Sequence, residues 1–291
     1  MRNTSAPYFG RQAVLATMHQ KQLALGPPLH DALGLRLLTS CDVDTDQLGT
    51  FAGEIPRHGS MREVAIAKAR LGMQATGLTL GLASEGSFGP HPLIPFMAGG
   101  IELLTFVDDE RGFVLHQSLV VGQTNFGHSV VSPGEAFDDF LDRVCFPSHA
   151  LIVRPNSLVH GDPQSLALVK GIADHDTLVQ AIAAAARHSS DGKARIESDM
   201  RAHLNPTRMR SLAQLAEQLA LRLASLCPAC ACPGWGKIDV LDGLPCEACG
   251  RPTEMVLQEV LGCLQCAHQE FKARSDGLKQ TGPEHCPYCN P

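Results

Sequence analysis

The apolar positions of the first 225 residues fall into short blocks that alternate between strand-like and helix-like spacing. Residues 13–17 are a short apolar run suited to a buried strand, and residues 35–39 and 77–83 read as a second and a third strand. Between them, residues 22–33 and 62–73 carry the helical period. Pro27-Pro28 must lie near the start of the first of these helices or interrupt it. The second presents a face of Val64, Ala65, Ala67, Lys68, Ala69 and Leu71, small enough for close packing. The glycine-rich stretch 84–92 reads as a loop after the third strand. Residues 101–107 and 112–121 read as an antiparallel hairpin turning at 108–111, residues 137–144 and 178–186 as helices, and residues 209–226 as a long helix leading into Cys227. These elements predict an α/β fold, a mixed sheet flanked by helices, over residues 1–225.

Cysteine changes the picture beyond that point. Only Cys41 and Cys145 precede residue 226, and both read as small buried apolar residues. Nine more fall between Cys227 and Cys289. Eight of them form four C-x-x-C pairs: Cys227/Cys230, Cys246/Cys249, Cys263/Cys266 and Cys286/Cys289. Two thiolates three residues apart turn toward one ion in a tight knuckle, and two knuckles complete a tetrahedral four-thiolate site. Fifteen residues separate the first two pairs and nineteen the last two, both within the spacing of zinc sites. The spacing predicts a zinc-ribbon domain over residues 226–291 with two structural zinc ions. Sequential pairing and cross-brace pairing both remain open, and Cys232 is expected to be a spectator, with displacement of Cys230 as a ligand the alternative. Four protein ligands leave no open position for water, so these ions stabilise and do not catalyse.

The hydrophobic content of 44% and charged content of 19% are those of a globular protein. No apolar run approaches the roughly 18 to 20 residues of a membrane span. The first ten residues lack the apolar segment of a secretory signal, so the expected compartment is the cytoplasm. A net charge of −6 gives no global field for nucleic acid.

Three polar segments follow apolar strands or precede helices, where α/β proteins place ligands. Thr17, His19 and Lys21 follow the first strand and suit a phosphate at a helix N-terminus. Glu54, Glu63 and Glu85, with Lys68, are carboxylates and an ammonium that could gather around Mg2+ and substrate phosphates. Arg201, His203 and Arg208 lie in a polar segment ahead of the long helix and could reach a phosphate or a base edge.

In this order the three segments resemble the inosine triphosphate pyrophosphatase superfamily, which hydrolyses non-standard nucleoside triphosphates to monophosphate and pyrophosphate. Thr17, His19 and Lys21 stand where that family has Thr-x-Asn-x-x-Lys, one residue shorter and with His for Asn. Residues 63–69 (Glu-Val-Ala-Ile-Ala-Lys-Ala) match its Glu-Asn-Ala-x-x-Lys-Ala, and residues 82–89 stand in register with Ala-Asp-Asp-Ser-Gly-Leu, keeping one acid where the family has two. Residues 202–205 are a loose analogue of its base-contacting Ser-His-Arg-Gly. Residues 49–54, 84–92 and 199–208 also resemble an uncharacterised bacterial family with a cysteine-rich C-terminus.

The resemblance implies Mg2+-dependent nucleotide pyrophosphohydrolysis, with Glu63 and Glu85 holding the metal and Lys68 and Lys21 neutralising phosphate. Thr17, His19, Ser84, Ser87, Arg201, His203 and Arg208 would contact substrate. The ligand is then a nucleotide or another phosphorylated small molecule. A nucleotide- or nucleic-acid-binding protein without hydrolysis is the alternative. A different metalloenzyme using His91, His116 or His128 is a third. The pyrophosphatase reading requires Lys21, Glu63, Glu85 and His203 to converge on one cleft.

Overall fold

The computed structural model describes residues 6–39, 59–91, 94, 97–157 and 167–291. Cys41, Glu54 and the 49–54 segment lie outside them. The chain starts β1 (Gln12–Leu15), α1 (Gln22–Leu33), β2 (Arg36–Thr39), α2 (Met61–Thr76), β3 (Leu80–Pro90), β4 (Ala98–Asp108) and β5 (Phe113–Val121). The strands form one sheet in the order β2-β1-β3-β4-β5. β1 pairs in parallel with both β2 and β3, whereas β3, β4 and β5 run antiparallel in turn.

The pleat sorts the apolar runs between two faces. Ala13, Leu15, Leu80, Leu82, Leu104 and Phe106 pack against α1 and the long helix α5 (Pro206–Ala224). Val14, Ala83, Leu103 and Val107 pack against Ala65, Ala69 and Met73 of α2. The small face of α2 is what allows this approach: a Cβ on Gly81 would sit 2.6 Å from Met73 Sδ.

Two expectations are corrected here. The 84–92 stretch is not a loop up to residue 90. β3 continues through it and pairs with β4 residue for residue as far as Pro90↔Ala98. Gly86 leaves room for the Arg208 and Glu102 side chains, and Phe88 lies across Gly100 on the neighbouring strand, where a Cβ would meet its ring at 2.5 Å. Pro27 and Pro28 lie in the middle of α1 and do not interrupt it, and Gly34 in the left-handed conformation ends the helix. The backbone bonds they remove are offset by Leu25, Leu29 and Leu33, all fully buried against α5.

Residues 128–198 build a second, all-antiparallel sheet in the order β6-β9-β7-β8 from β6 (His128–Val131), β7 (Leu151–Pro155), β8 (Val169–Ile172) and β9 (Ala194–Ser198). None of these strands was read from the sequence; each is four or five residues long. The helices α3 (Asp138–Arg143) and α4 (His175–Arg187) cover its apolar face. Cys145 is exposed, not buried, on the left-handed turn after α3.

The C-terminal region is a three-stranded antiparallel ribbon, β10 (Gly236–Asp242), β11 (Val256–Gly262) and β12 (Gln269–Ala273). It is joined to the body by packing. Cys227 and Cys232 are part of the body's main core, with Trp235, Cys263, Leu264 and Cys266 packed against it. Arg222 at the end of α5 donates to the carbonyls of Gly234 (2.8 Å) and Lys237 (2.7 Å), and Gln265 donates to Arg111 O at the β4–β5 turn.

Candidate functional site

β1 is the switch point of the first sheet: the chain leaves it through α1 on one face, and its neighbour β3 is reached through α2 on the other. Its pairing with β3 ends near Leu15↔Leu82, after one more bond from Ala16 N–H to Leu82 O. β3 continues alone on that side. The carboxyl ends of β1 and β3 therefore flank a crevice of the kind that holds ligands in α/β sheets.

The β1–α1 turn delivers three polar groups there. Thr17 Oγ1 accepts from His19 N–H, and Gln20 takes a left-handed φ of 53°. Lys21 then caps α1. The Lys21 side chain is only 9% exposed, and its Nζ donates to Ser84 O (3.2 Å) and Ser84 Oγ (2.9 Å). Its charge is disfavoured first by burial and next by the Arg208 guanidinium, which together hold its pKa down to about 8.

The other cations nearby are matched to carboxylates. Lys68 Nζ lies 2.6 Å from Glu85 Oε1 on the α2 side of the sheet. Arg208 Nε lies 2.6 Å from Glu102 Oε1 on the α1/α5 side, with Nη2 at 3.2 Å from Oε2, and also donates to Met200 O. Arg201 holds Asp199 through Nε (3.0 Å) and Nη2 (2.6 Å). Gly86 makes the Arg208–Glu102 pair possible, since a Cβ there would meet Arg208 Nη2 at 2.6 Å and Glu102 Oε2 at 2.8 Å. Among the described residues, these three cations are each paired with a carboxylate, while Lys21 is held by the neutral oxygens of Ser84 with Glu102 and Glu85 favouring its charge from a distance.

At the outer edge, the His19 and His203 rings stack at 5.3 Å with an interplanar angle of 6°. Burial, then Lys21, pushes His19 down to about 3, so its ring is neutral at pH 7. Burial and Arg201 also lower His203.

Of the residues singled out in the sequence, Thr17, His19, Lys21, Ser84, Glu85, Lys68, Arg201, His203 and Arg208 are therefore gathered around this crevice. Ser87 is exposed on β3 and makes none of these contacts. Glu63 stands apart from them. It is exposed and closes a capping box at the start of α2, where its Oε2 accepts from Ser60 N–H and Oγ–H, both at 2.8 Å, while its own N–H donates to Ser60 Oγ. Those hydrogen bonds hold its carboxyl below the usual range. Ser60→Ala should lower unfolding free energy by about 1 kcal/mol in urea titrations. If Glu63 is a cap and not a ligand, crevice binding should be unchanged in that variant.

Glu102 and Asp199 were missed. A lone acid inside the apolar run 101–107 was the available signal for Glu102. Among the described residues, His91, His116 and His128 belong to no group of three or more side chains able to close on one ion; His116 Nδ1 lies 2.8 Å from Thr105 Oγ1, and His128 is exposed on β6.

Among the described residues, the groups of His, Cys, Asp and Glu able to close on one ion are two cysteine quartets. They are Cys227/Cys230/Cys263/Cys266 and Cys246/Cys249/Cys286/Cys289, so the pairing is the cross-brace. In each, the four sulfurs lie within 4.8 Å of one another, with nearest cross-pairs at 3.5–3.9 Å. Zn–S bonds of about 2.3 Å in a regular tetrahedron imply S···S edges of about 3.8 Å. Each quartet could therefore hold a metal ion such as zinc. Cys232 stands outside both, buried beside the first.

The profile of a family described as Domain of unknown function (DUF6671) matches residues 68–291, from the middle of α2 through both quartets. No curated protein matches the chain. No described helix is long and apolar enough to cross a membrane.

Proposed function

This chain belongs to the DUF6671 family, and we propose that its body binds a nucleotide or another phosphorylated small molecule in the crevice at the ends of β1 and β3. The observation that carries this reading is Lys21: a buried ammonium at a helix N-terminus, next to three cations that already have carboxylates. A phosphate oxygen there would supply the missing negative charge. The stacked imidazoles and Arg201 would then face the organic part of the ligand. The two quartets hold zinc and stabilise the fold, because closed four-thiolate sites leave no position for a reacting water.

The test is equilibrium binding of a nucleoside triphosphate panel. Lys21→Met should weaken binding at least tenfold, and unchanged affinity would remove the proposal. An anion favours the charged form of Lys21. Affinity should therefore be level below about pH 8 and fall above it, as the free protein loses that proton.

Phosphoanhydride hydrolysis is the second reading: Lys68 pairs closely with Glu85, two residues of the pyrophosphatase-like motifs, but Glu63, which that reading needs beside them, caps α2 instead. The described residues do not fit a protein-held Mg2+: Glu85, Glu102 and Asp199 are all ion-paired, and Glu63 caps a helix. Pyrophosphate or phosphate release that depends on Mg2+ and is lost in Glu85→Gln would establish this second reading over binding alone.

A further inference from the structure

The C-terminal ribbon ends in an edge that matches a copy of itself. β12 is the last strand of its sheet, and all five of its residues are exposed, with Phe271 at 60%. Its pairing with β11 runs from Gln258↔Ala273 to Gly262↔Gln269 without a break. The opposite edge is different. β10 shifts register twice, between Lys237 and Asp239 and between Leu241 and Asp242, and such bulges blunt a strand against further pairing.

We propose that two copies of this chain associate through β12, antiparallel about a two-fold axis at Phe271. The sequence of the strand, Gln-Glu-Phe-Lys-Ala, is self-complementary in that arrangement. Phe271 falls opposite Phe271 of the second copy, and Glu270 falls opposite Lys272 on both sides of the axis. Opposite charges facing each other across a strand pair are stabilising, and like charges are destabilising. Among the described residues no strand pairs with the outer side of β12, and the backbone groups of that regular edge would supply the hydrogen bonds.

The faces agree as well. Phe271 sits directly across from Val260, and Ile238 lies over Gly262 on that same face of β11. Pairing at β12 would join this apolar stripe to its copy in a six-stranded sheet. The two-fold makes the contact isologous, so it closes at a dimer and does not propagate. Two five-residue strands form a small interface, so the dimer is weak and concentration-dependent.

Sedimentation velocity on the full, metal-loaded chain over roughly 1–300 μM, the range suited to weak association, is the test. Wild type should pass from monomer to dimer. Lys272→Glu and Glu270→Lys each place like charges opposite one another and should weaken dimerisation at least tenfold. Metal content and circular dichroism should match wild type in both. An equimolar mixture of the two variants places Glu against Lys at every position and should form a heterodimer at wild-type concentrations. A wild type that stays monomeric throughout would overturn the proposal. So would a dimer that neither reversal weakens, or a mixture that fails to recover association.

Discussion

Cys227→Ser should remove one metal ion and destabilise the body of the protein, while Cys249→Ser should remove the other and leave the body's transition in place. The two quartets have the same ligand set, but they are embedded differently. Cys227 belongs to the core that also contains Leu212, Leu215, Leu219 and Leu223 of α5, and the first quartet's Cys263 and Cys266 pack against that core. The second quartet is carried by the ribbon itself: Cys246 N–H donates to Arg251 O, and Cys246 bridges to Thr281. Structural zinc in small domains contributes on the order of 10–16 kcal/mol of apparent free energy, as much as the whole stability of an ordinary domain. Losing the first ion also frees the Trp235 and Leu264 contacts with the body. We expect Cys227→Ser to lower the body's melting temperature by about 10 °C or more, or to abolish its cooperative transition. Cys249→Ser should lose protection only in residues beyond Gly243. Metal analysis with hydrogen exchange resolved by segment separates the two. Equal loss of protection in the body for both variants would show that the quartets are one cooperative unit.

Glu102→Gln should cost about 3–5 kcal/mol of unfolding free energy, the largest effect expected from any single isosteric change in the crevice. Glu102 is fully buried and Arg208 nearly so, and the carboxylate takes two bonds from the guanidinium. Neutralising the acid removes the carboxylate charge that faces the buried guanidinium. Arg208→Met should be similarly costly because it strands Glu102. The double variant Glu102→Leu with Arg208→Met should recover much of the loss, since burying neither charge avoids both desolvation penalties. Urea denaturation of the cycle measures the coupling, and strictly additive losses would show that the pair contributes nothing as a pair. If Arg208 serves only to shape the crevice, the double variant should also retain part of the ligand affinity that Lys21→Met destroys.

The crevice was partly legible. Thr17, His19 and Lys21 could be picked out because polar residues immediately after a buried strand are placed by the fold at its carboxyl end. Lys68 and Glu85 were found through motif spacing, and their partnership across α2 and β3 then emerged as a 2.6 Å ion pair. Glu63 was misplaced for a local reason: Ser60, three residues ahead of it, makes a capping box, and that signal was present in the sequence. The reading of 84–92 as a loop failed because glycine has two meanings. It permits turns, and it also leaves room for a neighbour's side chain, here Phe88 over Gly100 and Arg208 beside Gly86.

What the amino-acid order alone determined were the quantities set by short-range chemistry. The eight knuckle cysteines announce themselves by spacing, because two thiolates three residues apart are a local geometric unit. The parallel strands and the helices of the first sheet announce themselves by periodicity, because burial on one or two faces repeats along the chain. Tertiary structure decided everything that depends on residues far apart. It chose the cross-brace among the possible cysteine pairings. It set Cys227 into the core of the body and left the second quartet on the ribbon. It matched Arg208 to Glu102 across 106 positions and left Lys21 to the oxygens of Ser84. Local propensity carries no information about which distant charge will share a buried space. That choice is made by the packing of the whole chain, where each buried charge must find a partner or a ligand.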